Sequence, residues 1–214
     1  MTPQAPLQLL DRDLSILAFN ARVLDWARRP DVPVLERLRY LAIVSSNLDE
    51  FFEVRFAPQL TAFRTNDHRG AITVDSFLQV AKRVQELVDT QYRIYNDDLL
   101  PALRSQHIRL MAHGERTPLQ RKWVKEFFKA EVQPMLLPIS LDPSHPFPQV
   151  ANKSLNFIVR LEGHDAFGRE NHIAIVKVPR SLPRYVRLPG AKGSKTKYVA
   201  SISSIIRSHL SDLF

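Results

Sequence analysis

Apolar side chains recur every three or four residues from Leu14 to Val132 and every second residue from Leu155 onward, and this switch of period restricts the fold more than any other feature. A helix gathers residues three and four apart onto one face, whereas a strand gathers residues two apart. A chain carrying both patterns in series is therefore helical first and sheet-containing later, which is the α+β class.

The first helix is expected from Asp13, as N-cap, through Leu14, Leu17, Ala18, Val23, Leu24 and Ala27, with Arg28, Arg29 and Pro30 as its stop. A second begins near Pro33 and carries two rows: Tyr40, Ile43, Asn47, Phe51 and Val54, and Leu38, Leu41, Ser45, Leu48 and Phe52. Pro58 should end or kink it, since proline removes a backbone donor and clashes with the preceding turn. After a loop over residues 65–70, Thr73 or Asp75 caps a third helix through Phe77, Val80, Ala81, Val84, Leu87, Val88, Tyr92, Tyr95 and Leu99, weakening at Pro101. Thr117-Pro118-Leu119-Gln120 combines an N-cap, a proline at the first helical position and a capping-box glutamine. Beyond Pro134 prolines cluster, then Leu155 to Leu161 and Ile173 to Val178 read as antiparallel strands joined across residues 163–171, with Tyr185 to Leu188 as a third strand and Ser201 to Phe214 ending as a helix. The domain change falls at residues 105–116, giving an antiparallel helical bundle over 1–106 and a mixed α/β unit over 107–214.

Within the second helix Asn47 interrupts an otherwise apolar row, and its amide offers one acceptor and two N–H donors. Two uses fit those groups: a bond to a neighbouring helix, or a bond to a ligand edge such as adenine.

Zero cysteines exclude disulfides, thiolate catalysis and cysteine-ligated zinc, and no apolar stretch approaches the roughly 20 residues of a membrane helix. Residues 1–11 lack the pattern of a signal peptide, so the expected location is cytoplasmic. The net charge of +8 is concentrated between Lys177 and Lys197, where Lys177, Arg180, Arg184, Arg187, Lys192, Lys195 and Lys197 occur without an acid. Such a segment attracts polyanions or is simply a solvated loop. GAKGSKTK from Gly190 lacks Walker spacing, which leaves a mobile basic loop able to hold phosphates, and with only Tyr185 and Tyr198 accompanying the charges the aromatic placement does not suggest base stacking. His68, His107, His113, His145, His164, His172 and His209 form no metal-binding pair and read as structural or exposed. Asp49 and Glu50 point about 100° apart on a helix and cannot flank one reacting bond, so pairing with Arg55 or Arg37 is the expected use of these acids and of Glu53.

Three stretches, RDLSILAFNARVLDWA from Arg12, PVLERLRYLAIVSSNLDEFFEVRFA from Pro33, and the later set FPQVANKSLNFIVRL, IAIVKVPRSLPRYVRLP and SIIRSHLSDLF, resemble the amino-terminal portion of bacterial polyphosphate kinases. That resemblance implies a helical domain followed by a head domain cut short on its carboxy-terminal side, in enzymes that move the terminal phosphate of ATP reversibly onto inorganic polyphosphate. It places the phosphoryl-accepting histidine and the Mg2+ ligands in later domains, so no catalytic residue or metal ligand is assigned within this chain. Asn47 matches the adenine-contacting asparagine of the family's SNLDEF motif, with Phe51 or Tyr40 as support for the ring. The implied partners are ATP, inorganic polyphosphate, further copies of the chain and the inner membrane surface, without specific nucleic acid. The chain alone is expected to bind ATP weakly and not turn it over. Ile16 stands where the family's motif reads tryptophan, and Pro58 where the family is helix-compatible. The alternative is a free-standing basic adaptor for RNA or another polyanion.

Overall fold

The computed structural model describes residues 10–65, 74–141, 146–162 and 173–214. It divides into two compact units, residues 1–106 and 107–214.

The first unit is helical. Helix α1 (Arg12–Arg28) is capped by Asp11, whose carboxylate accepts the Leu14 N–H at 2.8 Å. The expected cap Asp13 instead lies inside the first turn. Asp11 is the better placed, because a cap residue must itself be extended while its side chain reaches back to the third helical N–H. Helix α2 (Val34–Glu50) buries Arg37, Val44 and Leu48, and Phe51 follows on the same face. Neither expected row is therefore the buried one: Ile43, Phe52 and Val54 are exposed, and the inward row runs 37, 44, 48, 51. An arginine heading that row is what hid it from a hydrophobic reading.

Pro58 does not end the helix. A π-helical segment (Phe51–Phe56) continues α2 into α3 (Ala57–Thr65), and Pro58 sits inside α3. The residue before the proline, Ala57, donates its N–H five residues back to the Phe52 carbonyl. Widening the turn there moves the carbonyls that a proline ring would strike, so the backbone passes without breaking. The same solution recurs at Pro101, where Leu100 N–H bonds Tyr95 O after the π-segment Ile94–Leu99, and at Pro134, where Gln133 N–H bonds Phe128 O.

Helix α4 (Val74–Arg93) thus runs through that second π-segment into α5 (Leu100–Ser105), past the expected end at Leu100. Asp75 lies in its first turn rather than at a cap, and Thr73 is outside the described residues, as is most of the expected 65–70 loop. The inward face is Phe77, Val80, Val84, Leu87, Gln91 and Ile94, while Tyr92 is exposed. The core joins Leu17, Leu24, Ala27, Val44, Leu48, Phe51, Val80, Val84, Leu87, Ile94 and Leu99. Each fully buried leucine, isoleucine or phenylalanine contributes about 1.5–3 kcal/mol.

The second unit holds two three-stranded sheets. β1 (Ile108–Leu110) pairs parallel with a later strand, Lys197–Ser201, which is antiparallel to Tyr185–Leu188. β2 (Leu137–Ser140), β3 (Asn156–Arg160) and β4 (Ile173–Lys177) form an antiparallel sheet in the order β2-β4-β3. The expected β3 and β4 pairing holds, whereas the intended turn, residues 163–171, lies outside the described residues. The strand Tyr185–Leu188 is β5 and Lys197–Ser201 is β6. Helix α6 (Pro118–Phe127) starts with the anticipated capping box: Gln120 N–H bonds Thr117 Oγ1 at 3.3 Å, and Thr117 N–H bonds Gln120 Oε1 at 3.0 Å. Ser201 ends β6 and caps α7 (Ile202–Arg207), whose Ile202, Ile205 and Ile206 close the core with Val124, Phe128 and Val176.

Candidate functional site

Three polar rungs cross the seam between α1 and the rod formed by α2, its π-segment and α3. Asp13, Asn20 and Ala27 lie seven residues apart on α1 and therefore share one face. At one end Arg37 donates Nε to the Ala27 carbonyl at 2.8 Å. In the middle Asn47 donates Nδ2 to Asn20 Oδ1 at 2.8 Å. At the other end Asp13 receives Arg55 Nε at 2.9 Å and also the Gln59 side-chain amide. Partners rise along one helix as they fall along the other, which is the antiparallel arrangement.

Asn47 is half-buried, while Asn20 is only 1% exposed. Asn20 is itself fixed, because its Nδ2 donates to the Ile16 carbonyl at 3.0 Å, one turn back. Its Oδ1 must then face Asn47. This assignment spends one N–H of Asn47 and leaves its carbonyl oxygen and second N–H for another partner, the pair of groups that reads an adenine edge. Of the two uses foreseen for the amide, the bond to a neighbouring helix is the one observed at Asn47. Asn20 was not singled out from sequence, although the signal was present: a second amide on the inward face of α1, seven residues from Asp13.

The surroundings are anionic and partly aromatic. Asp49 and Glu50 are exposed on the same helix. Arg55 and Arg37, the cations expected to neutralise these acids, are engaged by Asp13 and the Ala27 carbonyl instead. Phe51, 2% exposed, is core rather than a platform for a ring. Tyr40 stacks on Trp26 with centroids 5.7 Å apart, and the Arg29 guanidinium lies 4.3 Å above that tryptophan. Two helical turns separate Tyr40 from Asn47, about 10 Å along the axis, so one purine cannot touch both. Ile16, partly buried, packs against the core and presents the carbonyl that fixes Asn20.

In the second unit the basic segment is built into the sheets. Lys177 Nζ bonds the Gln149 carbonyl at 2.9 Å and Arg180 bonds the Asn152 carbonyl at 2.8 Å. GAKGSKTK forms a turn in which Ser194 N–H bonds Ala191 O at 3.0 Å and Gly193 takes φ +83°, a conformation glycine adopts without strain. It feeds strand β6 rather than a helix, so it is not a phosphate loop of the Walker kind. Beside it lies an open cleft of about 460 Å³ with Arg187 and Trp123 in its wall. Trp123 comes from α6, and so was invisible to a linear search for aromatics among the charges. Of the described histidines, His209 stacks on Phe128 at 4.8 Å, His107 turns the chain at φ 59°, and His113 is exposed; His68, His145, His164 and His172 lie outside the described residues. Among the described residues no three His, Asp or Glu side chains converge to hold a metal ion, and no helix is long and apolar enough to cross a membrane.

Residues 9–111 match the polyphosphate kinase N-terminal domain and residues 119–214 match the polyphosphate kinase middle domain. Polyphosphate kinases of Pseudomonas aeruginosa and Burkholderia cenocepacia are 46% and 47% identical over 96% of this chain. The chain spans 30% and 31% of their respective lengths. The crystal structure of polyphosphate kinase from Porphyromonas gingivalis superposes with a TM-score of 0.77 at 31% identity, covering 95% of this chain and 31% of that one.

Proposed function

Because the chain belongs to the polyphosphate kinase family, corresponding to its N-terminal and middle domains, we propose that it forms the nucleotide-contacting end of an enzyme passing the terminal phosphate of ATP reversibly to inorganic polyphosphate. The observation that carries the reading is the orientation of Asn47: Asn20 takes one N–H and leaves the other, with the carbonyl oxygen, for the adenine edge. A purine would accept from that N–H through a ring nitrogen and donate its exocyclic amine to the oxygen. Asp49 and Glu50 repel a triphosphate, so the base and not the phosphates is directed here. The phosphate tail, Mg2+ and the phosphoryl-accepting histidine then belong to other parts of the full-length enzyme. In this reading the chain by itself binds ATP weakly and does not turn it over.

Subunit contacts form part of the same proposal, supported by the exposed Phe52, Val54 and Phe63 on the first unit. So do a cytoplasmic location and contact with the inner membrane surface, for which the basic excess is the support. Family membership weighs against the free-standing RNA adaptor.

The test is Asn47→Ala in the full-length enzyme. Loss of a paired base contact worth about 1–3 kcal/mol should raise the KM for ATP about 5- to 150-fold, with the KM for polyphosphate unchanged. An unaltered KM for ATP would remove the assignment.

A further inference from the structure

Arg116 is buried to 2% exposure, yet among the described residues no carboxylate pairs with it. It lies between residues 9–111 and 119–214, outside both family matches. Its terminal nitrogens donate to hydroxyls, to Ser204 Oγ at 2.7 Å and Ser208 Oγ at 3.3 Å, and its Nε has no partner among the described residues. Burial pushes the guanidinium pKa down from its ordinary value, but arginine remains charged throughout the working range of pH. A buried charge left with neutral partners is costly unless something of opposite sign approaches it.

The two hydroxyls point to where that would be. Ser204 and Ser208 also line an open cleft of about 750 Å³, together with Ser203, Arg207, His113 and the ring of Phe157. Ser208 spends its hydrogen on the Ile205 carbonyl at 2.8 Å. Ser204 accepts from Arg116 and has no acceptor of its own among the described residues, so its O–H is polarised by the guanidinium and free to donate into the cleft. Arg207 is exposed at the same wall with no partner among the described residues. Among the described residues the lining holds no acid.

We propose that this cleft is a phosphoryl-oxyanion site, with Ser204 and Arg207 as direct donors and Arg116 as the buried charge behind them. Serine hydroxyls, a guanidinium and an imidazole line one cleft, a set of separate donors that suits a tetrahedral oxyanion better than the planar fork of one carboxylate. The volume admits more than one phosphoryl group, so a short linear condensed phosphate is the fitting class. The site lies in the second unit and stands whether or not Asn47 meets adenine.

Inorganic triphosphate is the probe. In the 15N-labelled chain it should shift the Arg116 side-chain Nε–H saturably, because the charge behind the cleft senses the anion. The variant Arg207→Gln, altered at an exposed position that holds no contact with Arg116 among the described residues, and Ser204→Ala/Arg207→Gln should bind triphosphate progressively more weakly, the double variant at least about tenfold. Lys192→Gln/Lys195→Gln, in the separate basic turn, should bind as the wild type does. Equal affinity in the Ser204/Arg207 variant, loss of binding in the Lys192/Lys195 variant, or an Nε–H that ignores triphosphate would each overturn the assignment. So would acetate at equal concentration moving that resonance as far as triphosphate, since the cleft would then be a seat for an acidic side chain.

Discussion

The bond between Asn20 and Asn47 can be measured apart from any ligand. Asn20→Ala removes two neutral hydrogen bonds, from Asn47 Nδ2 at 2.8 Å and to the Ile16 carbonyl at 3.0 Å, each contributing about 0.5–1.5 kcal/mol net. The Ile16 carbonyl keeps its helical bond, and Asn47, half-buried, can turn its freed N–H to water, so neither survivor carries the full penalty of an orphaned group. A loss of about 1.5–2.5 kcal/mol follows for Asn20→Ala, and about 1 kcal/mol for Asn47→Ala. Their shared bond is counted in both, so the double variant should fall short of the sum by about 1 kcal/mol.

Urea unfolding reads this directly. Trp26 lies on α1 beside the seam, and a Trp123→Phe background removes the only other tryptophan, so fluorescence reports the first unit alone. The four proteins of the cycle are compared at a common slope. Additivity within about 0.3 kcal/mol would mean that the two amides do not couple, and the account of how Asn47 is oriented would fall with them.

Three further outcomes test the same scaffold. Arg37→Ala frees the Ala27 carbonyl at the α1 terminus and empties a buried position, and should cost about 2–3 kcal/mol by the same fluorescence assay. Asp13→Asn keeps the shape but removes the charge and leaves one acceptor oxygen for the two donors Arg55 and Gln59; a loss of about 1–2 kcal/mol is expected, shrinking in 1 M salt, and a salt-independent change would contradict an ionic rung. Pro58→Ala restores a backbone donor where the π-segment now compensates for its absence. It should stabilise the helix by about 1 kcal/mol and add a slowly exchanging amide at position 58, whereas fast exchange there would show that the wide turn has another cause.

The seam also marks where the sequence was readable and where it was not. The period switch, the Thr117 capping box and the β-branched strands rest on local chemistry, and each appears in the fold as read. Pro58 and Pro101 misled because the rule that proline breaks a helix concerns the α-register, and a short π-segment is the exit that rule omits. The inward face of α2 was hidden since Arg37 heads it: a hydrophobic scan discards arginine, although a carbonyl at a facing helix end makes burial there favourable. Asn47 was legible as an amide on an otherwise apolar row, but its partner was not, because helix pairing decides which of many polar residues lies opposite. Arg116 gave no signal at all, since Ser204 and Ser208, its partners, lie 88 and 92 positions away.

Antiparallel helices with apolar faces can slide past one another by a turn at little loss of buried area, because leucine meets leucine again at the next repeat. The rungs at Asp13, Asn20 and Ala27 remove that freedom: a one-turn slip would leave Asn20, almost wholly buried, without an amide opposite and Asp13 without Arg55. Each orphaned polar group costs about 1–3 kcal/mol, so a slip costs more than it could recover through packing. The Asn20–Asn47 bond therefore does two things at once. It fixes the helix register, and in fixing it turns the remaining groups of Asn47 outward at one height along the rod, a height that holds only because the chain passes Pro58 unbroken and lets Gln59 reach Asp13.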